Sequence, residues 1–199
     1  MTVTDVNTMT EAYEPMGSNG GQWLFMTRDA ERKQHLKLRT VDDARVMRHH
    51  PELLIDLLAE IAAHGGLTIK LSDLGELAGA WDPDTRIIWL HSDLTPAAQR
   101  STLMHEIIHA ARGDGKRATA SAEARQEHLV ERMASVILVD LIDMAGVTAE
   151  SDSPAQRAHA LGVDEVLLEA RLESLLEWER GIYDDFRSSP VHARADATT

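Results

Sequence analysis

Residues His105-Glu106-Ile107-Ile108-His109 read H-E-x-x-H inside a segment whose two ends are both marked for a helix. Thr95 followed by Pro96 joins an N-cap to the ring that suits the first helical position. Gly113 suits the left-handed position just beyond a helix end. One helix is therefore predicted over 96–112. Residues four apart on it lie ~40° apart around the axis and one turn apart along it, so both imidazoles point the same way. Two neutral ring nitrogens can then share one Zn²⁺ at ~2.0–2.1 Å. Glu106, beside the first His, can reach a water at that ion and take its proton. The neighbours Leu103, Met104, Ile107 and Ile108 are apolar, so this helix is expected to be buried. Two His and a Glu are costly there unless something pairs with them, and a metal ion supplies the partner.

A catalytic zinc takes three protein ligands and keeps a fourth position open. The chain has no Cys, which excludes thiolate sites, disulfides and cysteine nucleophiles. A His six residues after His109 would continue the metzincin pattern, but Gly115 stands there. The third ligand is therefore expected on the next helix, predicted over 122–144, where Glu123, Glu127, His128 and Glu131 are candidates. Glu127 and Glu131 share a stripe with Ala134 and Leu138, next to the apolar stripe of Val130, Met133, Ile137 and Leu141. A carboxylate on that edge can face the first helix. This favours Glu127 as metal ligand, with Glu131 one turn on supporting a ligand from behind. Glu131 and His128 stay open as alternatives.

The rest of the chain frames this pair of helices. Pro51 opens a helix carrying Leu53, Leu54, Leu57, Leu58 and Ile61, and Gly65-Gly66 stops it. Short β-like runs follow at 67–71, 79–81 and 86–90, the last two around Asp82-Pro83-Asp84-Thr85, which has turn chemistry. The expected fold is α+β, a small, mostly antiparallel sheet of about three strands packed on the H-E-x-x-H helix. Gly146 is expected to end the acid-bearing helix, Ser153-Pro154 to begin a short one, and a last helix to cover 164–183. The expected organisation is a disordered tail over 1–27, a basic lead-in over 28–50, a metallopeptidase domain over 51–187 and a disordered tail over 188–199. The lead-in carries seven Lys or Arg against four acids. Within the domain, 154–187 is read as a C-terminal helical piece. Trp81 and Trp89 flank the turn as packing residues, or as walls of a peptide cleft. His91, His159 and Tyr183 are candidates for stabilising an oxyanion.

Charge narrows the partners. The net charge is −13, which disfavours broad contact with phosphate backbones. Ala158-His159-Ala160-Leu161-Gly162-Val163, with Leu167, Leu168 and Leu172 after it, has the look of a helix-turn-helix. Between residues 154 and 187, however, four Arg face eight acids, and Glu165, Glu169 and Glu173 lie where phosphate contact needs Lys or Arg. Direct nucleic-acid binding is therefore not expected. No apolar run approaches the ~20 residues of a membrane span, and the N-terminal stretch lacks a signal-like apolar region. A cytoplasmic protein is expected.

Leu103-Met104-His105-Glu106-Ile107-Ile108-His109-Ala110-Ala111-Arg112-Gly113, followed by Glu127-His128-Leu129-Val130-Glu131-Arg132-Met133-Ala134, resembles the ImmA/IrrE-type zinc metallopeptidases, especially the short forms of actinobacteria and their phages. The resemblance covers roughly 51–183. It implies a zincin-like fold in which His105, His109 and Glu127 match the zinc ligands and Glu106 the catalytic acid and base. In better-known members the second helix reads E-x-x-A-N-x-F-A…L-L-x-P. This chain has Val130 and Glu131 at the A-N pair, Met133 at the Phe and Asp140 at the Pro, so the third-ligand register has less support than the His pair. The resemblance implies an endopeptidase that cleaves a helix-turn-helix repressor of a phage, mobile element or stress regulon. The alternative is a non-catalytic regulatory protein that binds DNA or a repressor and holds a structural metal.

Overall fold

The computed structural model describes residues 38–63, 66–115, 119–151 and 153–188. The expected tails lie outside these residues, apart from Ser188. The elements in chain order are α1 (Val41–His49), α2 (Pro51–Ala63), β1 (Thr68–Ser72), β2 (Gly79–Asp82), β3 (Ile87–His91), α3 (Pro96–Arg112), α4 (Ala120–Leu138), α5 (Leu141–Glu150), α6 (Pro154–Leu161), α7 (Glu165–Glu173) and α8 (Glu177–Ser188).

The sheet is mixed, where a mostly antiparallel one was expected. Its order is β1-β3-β2. β3 pairs antiparallel with β2 and parallel with β1. Asp82 closes the β2–β3 turn, its side chain accepting from the amides of Asp84 and Thr85 and from the Thr85 hydroxyl, and a turn this tight imposes the antiparallel pair. The central place goes to β3 because it alone buries alternate residues, Ile88 and Leu90. Residues 73–78 carry the chain from β1 past β3 to the far edge, which leaves β2 as an edge strand.

Two long helices read from the pattern are each broken in two. The first ends at Leu138, and Asp140 caps α5 by accepting from the amides of Ile142 and Asp143. Arg48 holds both sides of that break. It donates to the Ile137 carbonyl at 3.0 Å and pairs with Asp140 at 2.7 Å. Gly146 lies inside α5, which runs to Glu150. The second break falls at residues 174–176, where Leu175 turns into the core and the Leu176 amide is capped by Glu179 at 2.8 Å. Part of the basic lead-in also proves helical. A capping box between Thr40 and Asp43 starts α1, which buries Ala44 and Met47 against α4.

One hydrophobic cluster joins Leu38 and Met47 to Ile108, Val130, Met133, Met144, Leu167 and Tyr183. The C-terminal helices thus share the core of the H-E-x-x-H helix. α3 lies between the sheet and α4, touching β2 and β3 on one side.

Candidate metal centre

Both ends of α3 close as the residues dictate. The Thr95 hydroxyl accepts from the Ala98 amide at 3.2 Å, and Gly113 adopts φ 65°, the left-handed region open to glycine. Between these ends His105 and His109 project side by side, with ring centroids 4.7 Å apart. Their Nε2 atoms are 3.0 Å apart, and Glu127 Oε2 from α4 stands 3.1 Å from the first and 3.4 Å from the second. A tetrahedral ion ~2.0–2.1 Å from each donor spaces the donors ~3.3–3.4 Å apart. The three atoms form a triangle of that size, so a divalent cation with nitrogen and oxygen ligands fits the donor set.

The structure brings His105, His109 and Glu127 together and gives Glu131 a different position. Glu131 meets the other nitrogen of the same ring, His105 Nδ1, at 3.1 Å. Glu127 and Glu131 are one helical turn apart and so bracket one imidazole from two sides. Glu123 lines the neighbouring cleft, and His128 is exposed. Asp114, which the sequence reading did not single out, stands 3.1 Å from His109 Nδ1 and also accepts from Arg112 Nε at 2.7 Å.

Charge is concentrated here. Burial works against charging the His105 ring, but the hydrogen bonds to Glu127 and Glu131 outweigh it and push its pKa up to about 10. Bonds to the same two imidazoles hold the Glu127 carboxyl well below the usual carboxylate range, although its side chain is 48 % exposed. Burial raises Glu106, opposed by the nearby His rings. The Trp81 amide on β2 also works against that rise.

β2 approaches α3 closely at this point. A methyl group on Gly79 would stand 2.5 Å from Thr102 Cγ2, 3.1 Å from the Trp89 carbonyl and 3.2 Å from Glu106 Oε1. Glycine is what lets the edge strand lie against the helix here. Two clefts meet at this point, of about 770 Å³ and about 290 Å³. Gly79, Glu106 and Glu127 line both. Trp81 walls the larger one, and Asp164 and Val166 from the α6–α7 region wall the smaller.

The remaining candidates lie elsewhere. Tyr183 is buried and donates to the Thr148 hydroxyl at 3.0 Å. The His91 ring pairs with Asp73 at 3.4 Å, and His159 is exposed on α6. The helix-turn-helix-like segment does form two helices around a left-handed Gly162. The second of them buries Leu167, Leu168 and Arg171 and exposes Glu165, Glu169 and Glu173.

The sequence profile of a peptidase family, M78, described as the IrrE N-terminal-like domain, matches residues 66–173. The radiation response metalloprotease IrrE of Deinococcus deserti is 43 % identical over 49 residues, which are 24 % of this chain and 17 % of that protein. No solved structure matches significantly.

Proposed function

The chain belongs to the peptidase M78 family, that of the IrrE N-terminal-like domain, and on that premise we propose that it is a zinc-dependent metalloendopeptidase with Glu106 as its acid and base. The observation that supports this most is the convergence of His105, His109 and Glu127 on one point, with the Glu106 carboxylate beside it at the junction of two clefts. Zinc held by those three residues supplies a Lewis acid for the scissile carbonyl and acidifies water toward pKa ~7. Glu106 takes the proton of the attacking water and delivers it to the departing amine. β2 offers an unpaired edge along the larger cleft, on which an extended peptide can add as a strand.

The reading as a regulatory protein with a structural metal expects a fourth protein ligand closing the site. Among the described residues, three groups converge. The substrate we propose is a helix-turn-helix repressor of a phage, mobile element or stress regulon, which places the enzyme in the cytoplasm. No helix among the described residues is long and apolar enough to cross a membrane. The test is incubation of the zinc-loaded chain with the helix-turn-helix repressor encoded nearest its gene. Cleavage should need zinc, stop with a chelator and fall by ~10²–10⁴-fold in Glu106→Gln, which keeps its metal. Wild-type rates from Glu106→Gln would refute the mechanism.

A further inference from the structure

We infer that Asp114 is the positioning residue of His109: its carboxylate accepts a hydrogen bond from Nδ1–H, fixes the ring, and reserves Nε2 for the metal. The inference rests on the metal-site reading above. It starts from the way α3 ends. Left-handed Gly113 closes the helix with two bonds, its own amide to the Ala110 carbonyl at 3.2 Å and the Asp114 amide to the His109 carbonyl at 3.0 Å. This closure brings the second residue beyond the helix onto the residue five earlier, and the pair that meets there is ordinarily apolar. Here the pair is Asp114 and His109, both buried, and they meet as carboxylate and imidazole at 3.1 Å.

A buried acid at a packing position is costly unless it is compensated. Arg112 compensates it, donating from Nε to the same Asp114 oxygen at 2.7 Å and from Nη1 to the Arg39 carbonyl at 2.9 Å. An apolar side chain would close the helix end with none of this. A ring nitrogen that must keep its proton while the opposite nitrogen binds a cation does need such an acceptor, which also makes Nε2 a better donor. His105 receives its acceptor, Glu131, from the neighbouring helix. His109 receives one from the end of its own helix, so the backbone turn at Gly113 sets the ring of the second ligand.

Zinc affinity measured by chelator competition on the full chain tests this. The variants are Asp114→Leu, which restores the usual apolar closure, Asp114→Asn, which keeps the size, and Arg112→Gln, which removes the ion pair but leaves the carboxylate. Metal-free melting and the ring N–H signals of the zinc-loaded protein are read alongside. Asp114→Leu should lose ~10–100-fold in zinc affinity and the His109 Nδ1 proton signal, and Asp114→Asn should lose less while melting near wild type. Arg112→Gln should stay within a few-fold of wild type. Wild-type affinity in Asp114→Leu, or an equal loss in Arg112→Gln, would overturn the inference. A wild-type chain that takes up no zinc would overturn the metal site itself, and this inference with it.

Discussion

Two buried charge clusters brace this molecule, and they are built in opposite ways. In one, Arg171 and Glu179, only 2 % and 5 % exposed, pair at 2.8 Å. Arg45 adds a second guanidinium to Glu179 at 3.4 Å and donates to the Ser174 carbonyl. Arg171 also donates to the Val139 carbonyl at 3.1 Å. Each charge faces its opposite or a carbonyl freed by a helix break. In the other, His105, His109 and Glu127 turn three donor atoms onto one point, while Glu131 and Asp114 hold the rings from behind. The first cluster pairs its charges within the chain, although Arg45 Nε and Arg171 Nη1 find no acceptor among the described residues. The second gathers three donor atoms where one cation would fit between them. Burial of charge is common to both, so what distinguishes the second is convergence of lone pairs.

The largest expected effect separates the two outright. His109→Ala or His105→Ala should abolish stoichiometric zinc, whereas Arg171→Met should leave about one zinc per chain; elemental analysis of the purified variants decides it. Glu127→Gln should loosen the metal more than Glu131→Gln, because it touches both Nε2 atoms. The reverse order would move the ligand one turn along α4.

The stability counterpart is Arg171→Met, which leaves the buried Glu179 carboxylate only the Leu176 amide and Arg45 at 3.4 Å and should cost up to ~3–5 kcal/mol by urea unfolding. Arg171→Met combined with Glu179→Leu should recover part of that, since the under-compensated buried carboxylate is gone. Gly79→Ala tests the strand contact at the metal centre instead. Its methyl meets Thr102 and the Trp89 backbone, and overpacking of this kind costs ~1–3 kcal/mol. Thr102→Ser in the same chain should relieve part of it by removing Cγ2.

The smallest effect is a pH dependence. Burial raises Glu179, but the bonds from Arg171 and the Leu176 amide outweigh it and hold the group below its ordinary 4.5. A carboxyl lowered by folding stabilises the protein above its unfolded value and stops doing so as pH falls through the folded one. The difference in unfolding free energy between wild type and Glu179→Gln should therefore be constant near neutrality and shrink below ~4.5. A difference that stays flat down to acid would show that the pair contributes by shape rather than charge.

Much of the metal centre was legible in the residue order because it is local. The cap at Thr95, the stop at Gly113 and the four-residue spacing of His105 and His109 all act within one helix, and helical geometry turns them directly into a shared direction. The stripe on α4 likewise pointed to Glu127 and Glu131. Asp114 was legible in principle, as the second residue past a glycine-closed helix, five after His109. The family resemblance also stands, with the family profile matching residues 66–173, which include the H-E-x-x-H segment.

The order of strands and the breaks in the long helices were decided elsewhere. Three short strands can neighbour one another in several orders, and only packing of the most apolar one at the centre selects β1-β3-β2. Apolar periodicity runs through Val139 and Leu175 without interruption, so it predicts continuous helices. Arg48, Arg45 and Glu179 end them by hydrogen-bonding the backbone and caps at the breaks, across gaps of up to 134 residues in the chain. The same holds for Glu106. Its position in the motif comes from the sequence, but its surroundings come from an edge strand that reaches the helix only because Gly79 has no side chain. Helical spacing propagates along one segment and needs no partner, whereas strand order, helix ends and the dry side of a carboxylate depend on groups that only the folded chain brings together.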